Sequence, residues 1–529
     1  MSNSFFYGSP ILFGDNTVPG SSLPKELEVL LPKIFQTCRD FGLDFYPTVV
    51  QMLSFDEMSE IASYGGFPVR YPHWKWGMEY EEMQRGYEAG LYRIFELVIN
   101  TNPCYLYCLD SNTLLDNVTV IAHALGHNDF FKNNIYFSPT SQNMMNQLAN
   151  HGIRIRKYIA RWGKERVTSF LDHVLRLETL IDPAKAWAKK KVRDYDIYDK
   201  REYKHPKRLP IKEGHEYMEE WINTDEWIDR QKNKIREEDI ANQLGISFKP
   251  TKDILGFMRD YAPLKIWQQD ILAMIYDESI YFAPQRMTKV TNEGFASWTD
   301  HNIIAKLGLA SLGQATHDAG IIEYAEHKTA VLGHKYSLNP YKLGYTFLED
   351  IEDRWNKGRF GQEYEDCKDL KQKENWDLNL GLGKEKVFEV RKLYDDVSLI
   401  DEFFTPEFCH KYEFYRWKKR GTEYVVDEKD PNKIKKELIQ RYTNGGLPEI
   451  HLVDANHRGK GELLLEHQWD GRILDAKYIY PVIQSLSYIW GNKVVLETKT
   501  KDEEPIVFIA NSPEPDDTIC CFLNEYNKD

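Results

Sequence analysis

Apolar side chains recur along most of this chain at the three-to-four-residue spacing of a helix with one buried face. Leu27, Val29, Leu30, Leu31, Ile34 and Phe35 follow that period between Lys25 and Gly42, and Gly42 is placed to cap the end. A short helix from Asp56 is stopped by Gly65 and Gly66, and a long one is expected from Met78 to Ile99, broken by Pro103. Further helical runs cover Val118–Asn134, Asn143–Trp162, Glu165–Leu180, Asp253–Tyr261, Leu264–Phe282, Glu293–Gly308, Glu349–Trp355 and Lys384–Tyr394. The pattern then changes. Glycine-rich turns separate strand-like runs at Ile450–Val453, Glu462–His467, Lys493–Thr498 and Pro505–Ala510, with one amphipathic helix, Asp475–Trp490, among them. The fold class that follows is a mainly α, bundle-like N-terminal domain with a smaller C-terminal α+β domain.

Four segments result: helical residues 1–183, a charged exposed insertion at 184–240, a second helical part at 241–394, and the α+β domain at 395–529. The insertion carries Lys189-Lys-Lys and Lys204-His-Pro-Lys-Arg with weak periodicity, which reads as a solvated surface. At 529 residues the chain exceeds one ordinary core, and 42% hydrophobic with 13% aromatic residues supplies ample material for two or more. A net charge of −14 argues against a nucleic-acid or acidic-membrane binder. Seven cysteines without framework spacing are expected to be reduced and structural, and no run is long and apolar enough to span a membrane. With no leader pattern at Met1, a cytoplasmic location is expected, and no nucleotide-binding motif is present.

The chemistry centres on His123-Ala-Leu-Gly-His127. Two histidines four residues apart share a helix face and can chelate one divalent metal through two imidazoles. The glutamate of the zinc-peptidase helix motif is absent, since Ala124 follows His123. Glu96 stands in an apolar run, where a lone carboxylate is expensive unless paired or ligating. Glu293, Asp300 and, beside them, His301 lie on another helix, and Glu326 and His327 on a further turn, as a metal site within a helical bundle requires. The competing reading is that each group caps or pairs locally; His151 and the histidines after residue 450 are read as structural.

Several phrases resemble the stage V sporulation protein R (SpoVR) family across most of the chain. They include His73-Trp74, Tyr92–Cys104, Asn112–Leu115, Ile121–Asn134, Pro250–Phe257 and Trp267–Leu272. They continue with Tyr281–Gln285, Asn292–Ser297, Leu338–Gly344, Phe404–Cys409, Leu452–Asn456, Gly461–Leu465 and Ile489–Thr498. The insertion matches poorly. Where the family has an aromatic pair and then a histidine after its Glu-Gly-Trp-Ala-Ser phrase, this chain has Asp300 followed by His301. The resemblance implies a role connected with formation of the spore cortex and adds no metal of its own.

Together these readings predict a site of His123, His127, Glu96 and Glu293, with Asp300 or His301 nearby, holding zinc, or iron or manganese. Glu96 and Glu293 are the candidate catalytic carboxylates, and hydrolysis of a small-molecule or peptidoglycan-type substrate is the expected reaction. Two alternatives stand beside it: an iron or manganese redox enzyme, and a non-catalytic scaffold or regulator with a buried His/Glu network, binding a protein partner through its C-terminal domain.

Overall fold

The computed structural model describes residues 11–13, 23–88, 96–187, 250–308, 324–325, 328–329, 331–333, 339–511 and 519–526. In chain order the main elements are β1 (Ile11–Phe13), α1 (Lys25–Asp40), β2 (Thr48–Leu53), α2 (Phe55–Ser63), α3 (Trp74–Glu88), β3 (Glu96–Ile99), β4 (Cys104–Leu109), α4 (Leu114–Asn133) and α5 (Met144–Trp162). They continue with α6 (Lys164–Leu175), α7 (Ile254–Tyr261), α8 (Ile266–Met287), α9 (Lys289–Leu307), α10 (Pro340–Lys357), α11 (Gly383–Leu393) and α12 (Asp396–Phe403). The hairpin strands β5 (Arg416–Arg420) and β6 (Glu423–Glu428) and helix α13 (Pro431–Tyr442) follow. Last come β7 (Ile450–His457), β8 (Glu462–His467), α14 (Ala476–Trp490), β9 (Val494–Lys499), β10 (Pro505–Ala510) and β11 (Ile519–Phe522). Two compact units result: Met1–Lys164 with Tyr281–Gly446, and Glu165–Ile280 with Leu447–Asp529.

The first unit is mainly helical, as its periodicity predicts, and it also holds a four-stranded sheet in the order β1-β2-β4-β3. That sheet corrects one expectation. The run ending at Ile99 is not one helix: the described part of α3 reaches Glu88, and Glu96 lies in a strand paired antiparallel with β4, opposite Cys108. Val98 and Ile99 are β-branched and pack well on a pleated surface, so strand pairing overrides the helical spacing of the apolar positions there. Helix α8 also runs past the expected stop at Pro284, which lies inside its last turn. Cys38, Cys104 and Cys108 are buried free thiols. Of the expected insertion, only 184–187 fall among the described residues, and Glu326 and His327 lie outside them.

Helices α4, α9 and α10 form the middle of this unit, and three glycines set their spacing. A Cβ on Gly126 of α4 would stand 2.9 Å from the Ala296 Cα of α9, and one on Gly294 would stand 2.4 Å from the Gly344 backbone of α10. A Cβ on Gly344 would meet the Val290 carbonyl at 2.0 Å. No side chain fits at those distances, so the backbones touch where the glycines meet. Trp298 Nε1 donates to Glu352 across the α9–α10 seam at 2.6 Å. Asp396, fully buried, caps the start of α9 by accepting from the backbone N–H groups of Val290 and Thr291 at 2.9 and 2.8 Å.

The polar residues after His127 anchor α4 on its other sides. Asn128 exchanges hydrogen bonds with the Tyr46 backbone and donates to the Thr48 hydroxyl. Asp129 is buried, accepts from the Asp44 backbone at 3.0 Å and faces Arg391 of α11 at 3.1 Å. Burial pushes its carboxyl up to about 7 against the opposing pull of Arg391. Asn134 donates to the carbonyls of Arg391 and Tyr394. So helix α4, buried around nearly its whole circumference, is held in one rotational setting by polar contacts.

The second unit has α+β character. Its five-stranded sheet runs β11-β10-β9-β8-β7, and the parallel pair β8–β9 is joined by α14. Val495, Val507 and Ile509 pack in its core with Tyr526. Asp253 caps α7 and is tied to Lys185 and the Tyr276 hydroxyl at 2.9 and 3.2 Å. The division at 446/447 leaves the helices from 396 to 442 in the first unit. Among the described residues no helix is long and apolar enough to cross a membrane.

Candidate metal centre

His123 and His127 sit one turn apart on α4, both nearly buried, with ring centroids 4.7 Å apart. Each ring is fixed through Nδ1. His123 Nδ1 lies 2.8 Å from Asp300 Oδ2, and His127 Nδ1 lies 2.9 Å from Asn292 Oδ1, both acceptors on α9. An acceptor at Nδ1 places the hydrogen there and leaves the Nε2 lone pair facing away, the tautomer that a metal-ligating histidine takes.

Both Nε2 atoms turn toward one atom. Glu293 Oε2 lies 3.5 Å from His123 Nε2 and 3.3 Å from His127 Nε2. These separations exceed the roughly 2.7–2.9 Å of a charge-assisted hydrogen bond. Donors bound to one metal at roughly 2.0–2.2 Å in a tetrahedron stand roughly 3.3–3.6 Å apart. Glu293 Oε2 is buried and makes no hydrogen bond. Among the described residues, His123, His127 and Glu293 form the group whose ligand atoms converge, all within 4.8 Å of one another.

The surroundings are charged in a consistent sense. Without a metal, burial alone would lower the His123 pKa, but Asp300 and Glu293 favour the charged form and push it up to about 10; a metal would bind in place of the Nε2 proton. Burial would raise the Glu293 carboxyl, but the two imidazoles beside it hold it below the usual carboxylate range. Tyr341, near the start of α10, stacks on His123 with centroids 6.3 Å apart, and its hydroxyl, raised by burial, interacts with Glu293.

The residues singled out in the sequence divide accordingly. His123, His127 and Glu293 converge, and Asp300 supports His123 from behind. Glu96 lies outside the three-atom cluster, on β3, close enough for its charge to act on His123 and Tyr341. His301 turns instead to Tyr324 and Lys328. Sequence reasoning missed Asn292 and Tyr341. Their signal was present, since Asn292 adjoins Glu293 and Tyr341 falls in the Leu338–Gly344 phrase, but neither residue type announces a supporting role.

A mainly helical unit carrying a two-histidine, one-glutamate cluster, with a second unit of α+β character, is the class of protein that these observations define. Residues 22–447 match the family described as SpoVR like protein, and residues 448–501 match the SpoVR-like C-terminal domain; the chain belongs to the SpoVR family. Among curated proteins it is similar to the uncharacterized protein YcgB of Escherichia coli (strain K12), 26% identical over 505 residues, covering 90% of this chain and 92% of that protein. No solved structure matches the chain.

Proposed function

We propose that His123, His127 and Glu293 hold one divalent metal and that the chain is a metal-dependent hydrolase. The observation that carries this reading is the convergence of two Nε2 atoms and a buried carboxylate oxygen that makes no hydrogen bond, at metal-ligand spacing, with each imidazole locked from behind. Two histidines and a glutamate leave a coordination position open, and a metal there supplies an activated water at neutral pH. In this reading Glu96, whose charge acts on His123 and Tyr341, would take a proton from that water or complete the shell, and an amide or peptidoglycan-type bond is the expected target. The same donor set serves iron in redox enzymes, so the metal found decides between the two chemistries.

The rival reading is a buried polar network without metal. It draws support from His123, which as an imidazolium between Asp300 and Glu293 is already charge-compensated. Elemental analysis separates them. Protein purified without chelator is expected to carry near-stoichiometric zinc, iron or manganese, and the His123→Ala, His127→Ala double variant none, with equal helical content by circular dichroism. A metal-free wild type ends the hydrolase reading.

A further inference from the structure

One residue beyond the acid that holds His123, helix α9 carries a second polar group. His301 Nδ1 lies 3.3 Å from Lys328 Nζ and 3.3 Å from the Tyr324 hydroxyl. The same ammonium donates to the Tyr345 hydroxyl at 2.9 Å and stands 4.3 Å from the centroid of that ring. Tyr345 is buried, and Lys328, His301 and Tyr324 are half-buried, so the group reaches solvent at one edge.

Among the described residues its charge is not balanced at contact range. Both partners of Lys328 are neutral, and among the described residues no carboxylate forms an ion pair with it; Asp300 and Glu349 act only from farther away. An ammonium half removed from water without a counter-ion is costly. It is conspicuous in a chain of net charge −14. The donors are also not all used. An ammonium has three N–H groups, and two go to His301 and Tyr345. With Nδ1 of His301 accepting from Lys328, the ring hydrogen sits on Nε2, a further donor without a partner among the described residues.

We propose that Lys328 and His301, with the Tyr324 and Tyr345 hydroxyls, form a phosphate-binding subsite beside the metal centre, and that the substrate is a phosphate-bearing small molecule. The donors come from separate side chains around one ammonium. That arrangement suits a phosphate group, whose charge of roughly −1.5 to −2 and three acceptor oxygens can engage an ammonium and several separate donors at once, better than a carboxylate with two oxygens and a single charge. The proposal rests on the hydrolase reading for the site that the substrate enters.

The test is calorimetric titration of the full chain with inorganic phosphate. Saturable binding is expected. Lys328→Met and His301→Gln should each weaken it about tenfold or more, as loss of a charge-assisted contact does, while Lys328→Arg stays within about threefold of wild type. Acetate should bind at least about tenfold more weakly than phosphate. The metal content of Lys328→Met should equal that of wild type. Absence of phosphate binding by wild type overturns the proposal. So does equal affinity in Lys328→Met, or binding that is lost in the His123→Ala, His127→Ala variant but kept in Lys328→Met. Lys328-dependent phosphate binding by a metal-free wild type would instead sink the hydrolase reading and leave the subsite standing.

Discussion

His123 and His127 of the first unit and His173 and His467 of the second are all withdrawn from water to a large degree, and each uses Nδ1 in a hydrogen bond. The partners differ. In the first unit they are a carboxylate and an amide oxygen, which only accept, so the imidazole hydrogen is fixed and both Nε2 atoms are turned on Glu293. In the second they are the hydroxyls of Ser485 and Thr498, which can donate or accept, and among the described residues no ligand cluster forms there. The electrostatics differ too. Burial lowers the pKa of His173 and His467, whereas Asp300 and Glu293 overcome burial at His123 and raise it. A buried histidine is therefore ordinary architecture in one unit. What marks a site in the other is a fixed tautomer and a second nitrogen aimed where another ligand is aimed.

The largest effect that sharpens this contrast comes from the support of α4. Arg391→Met leaves Asp129 buried and uncompensated, which should cost about 3–5 kcal/mol. Chemical denaturation followed by tryptophan fluorescence measures it, and metal content should fall with the fold. Next is Gly344→Ala. A methyl cannot fit against the Val290 carbonyl, so the α9–α10 seam must open, at roughly 3 kcal/mol. Because Glu293 adjoins that seam, metal affinity should drop even in the protein that stays folded.

Asn292→Ala separates site from scaffold more finely. It frees the His127 ring without removing a ligand, and metal affinity should fall by about tenfold to a hundredfold. His467→Gln in the second unit should leave metal binding unchanged, and equal loss in both variants would erase the contrast between the two units. The smallest effect is in pH. A histidine whose folded pKa is depressed takes its proton more readily when unfolded. The stability that neutral His173 and His467 contribute is thus complete above about 6.5 and is lost as pH falls through that value. Hydrogen exchange of the β8 and β9 amides should quicken between pH 7 and 5, and His467→Gln should flatten that dependence.

How much was legible in advance depended on the range of the interaction. The helices of the first unit, the strands of the second and the histidine pair on α4 are written in local periodicity, and the family phrases carry the rest of the architecture. The run to Ile99 misled because an apolar stretch containing Leu97, Val98 and Ile99 satisfies a helical and an extended pattern equally over so few residues. Only pairing with Cys104–Leu109, a non-local event, resolves it. His301 misled because it neighbours Asp300 in sequence, yet successive residues on a helix point in different directions.

From its sequence alone, then, this chain specifies a mainly helical body, a small α+β unit and two imidazoles on one face of α4, because helix and strand periods are properties of neighbouring residues. Which acid meets those imidazoles was settled only by tertiary structure. Gly126, Gly294 and Gly344 let three backbones approach closely, Asp300 and Asn292 turn the rings, and Glu293, alone of the candidate carboxylates among the described residues, then points its oxygen between both Nε2 atoms.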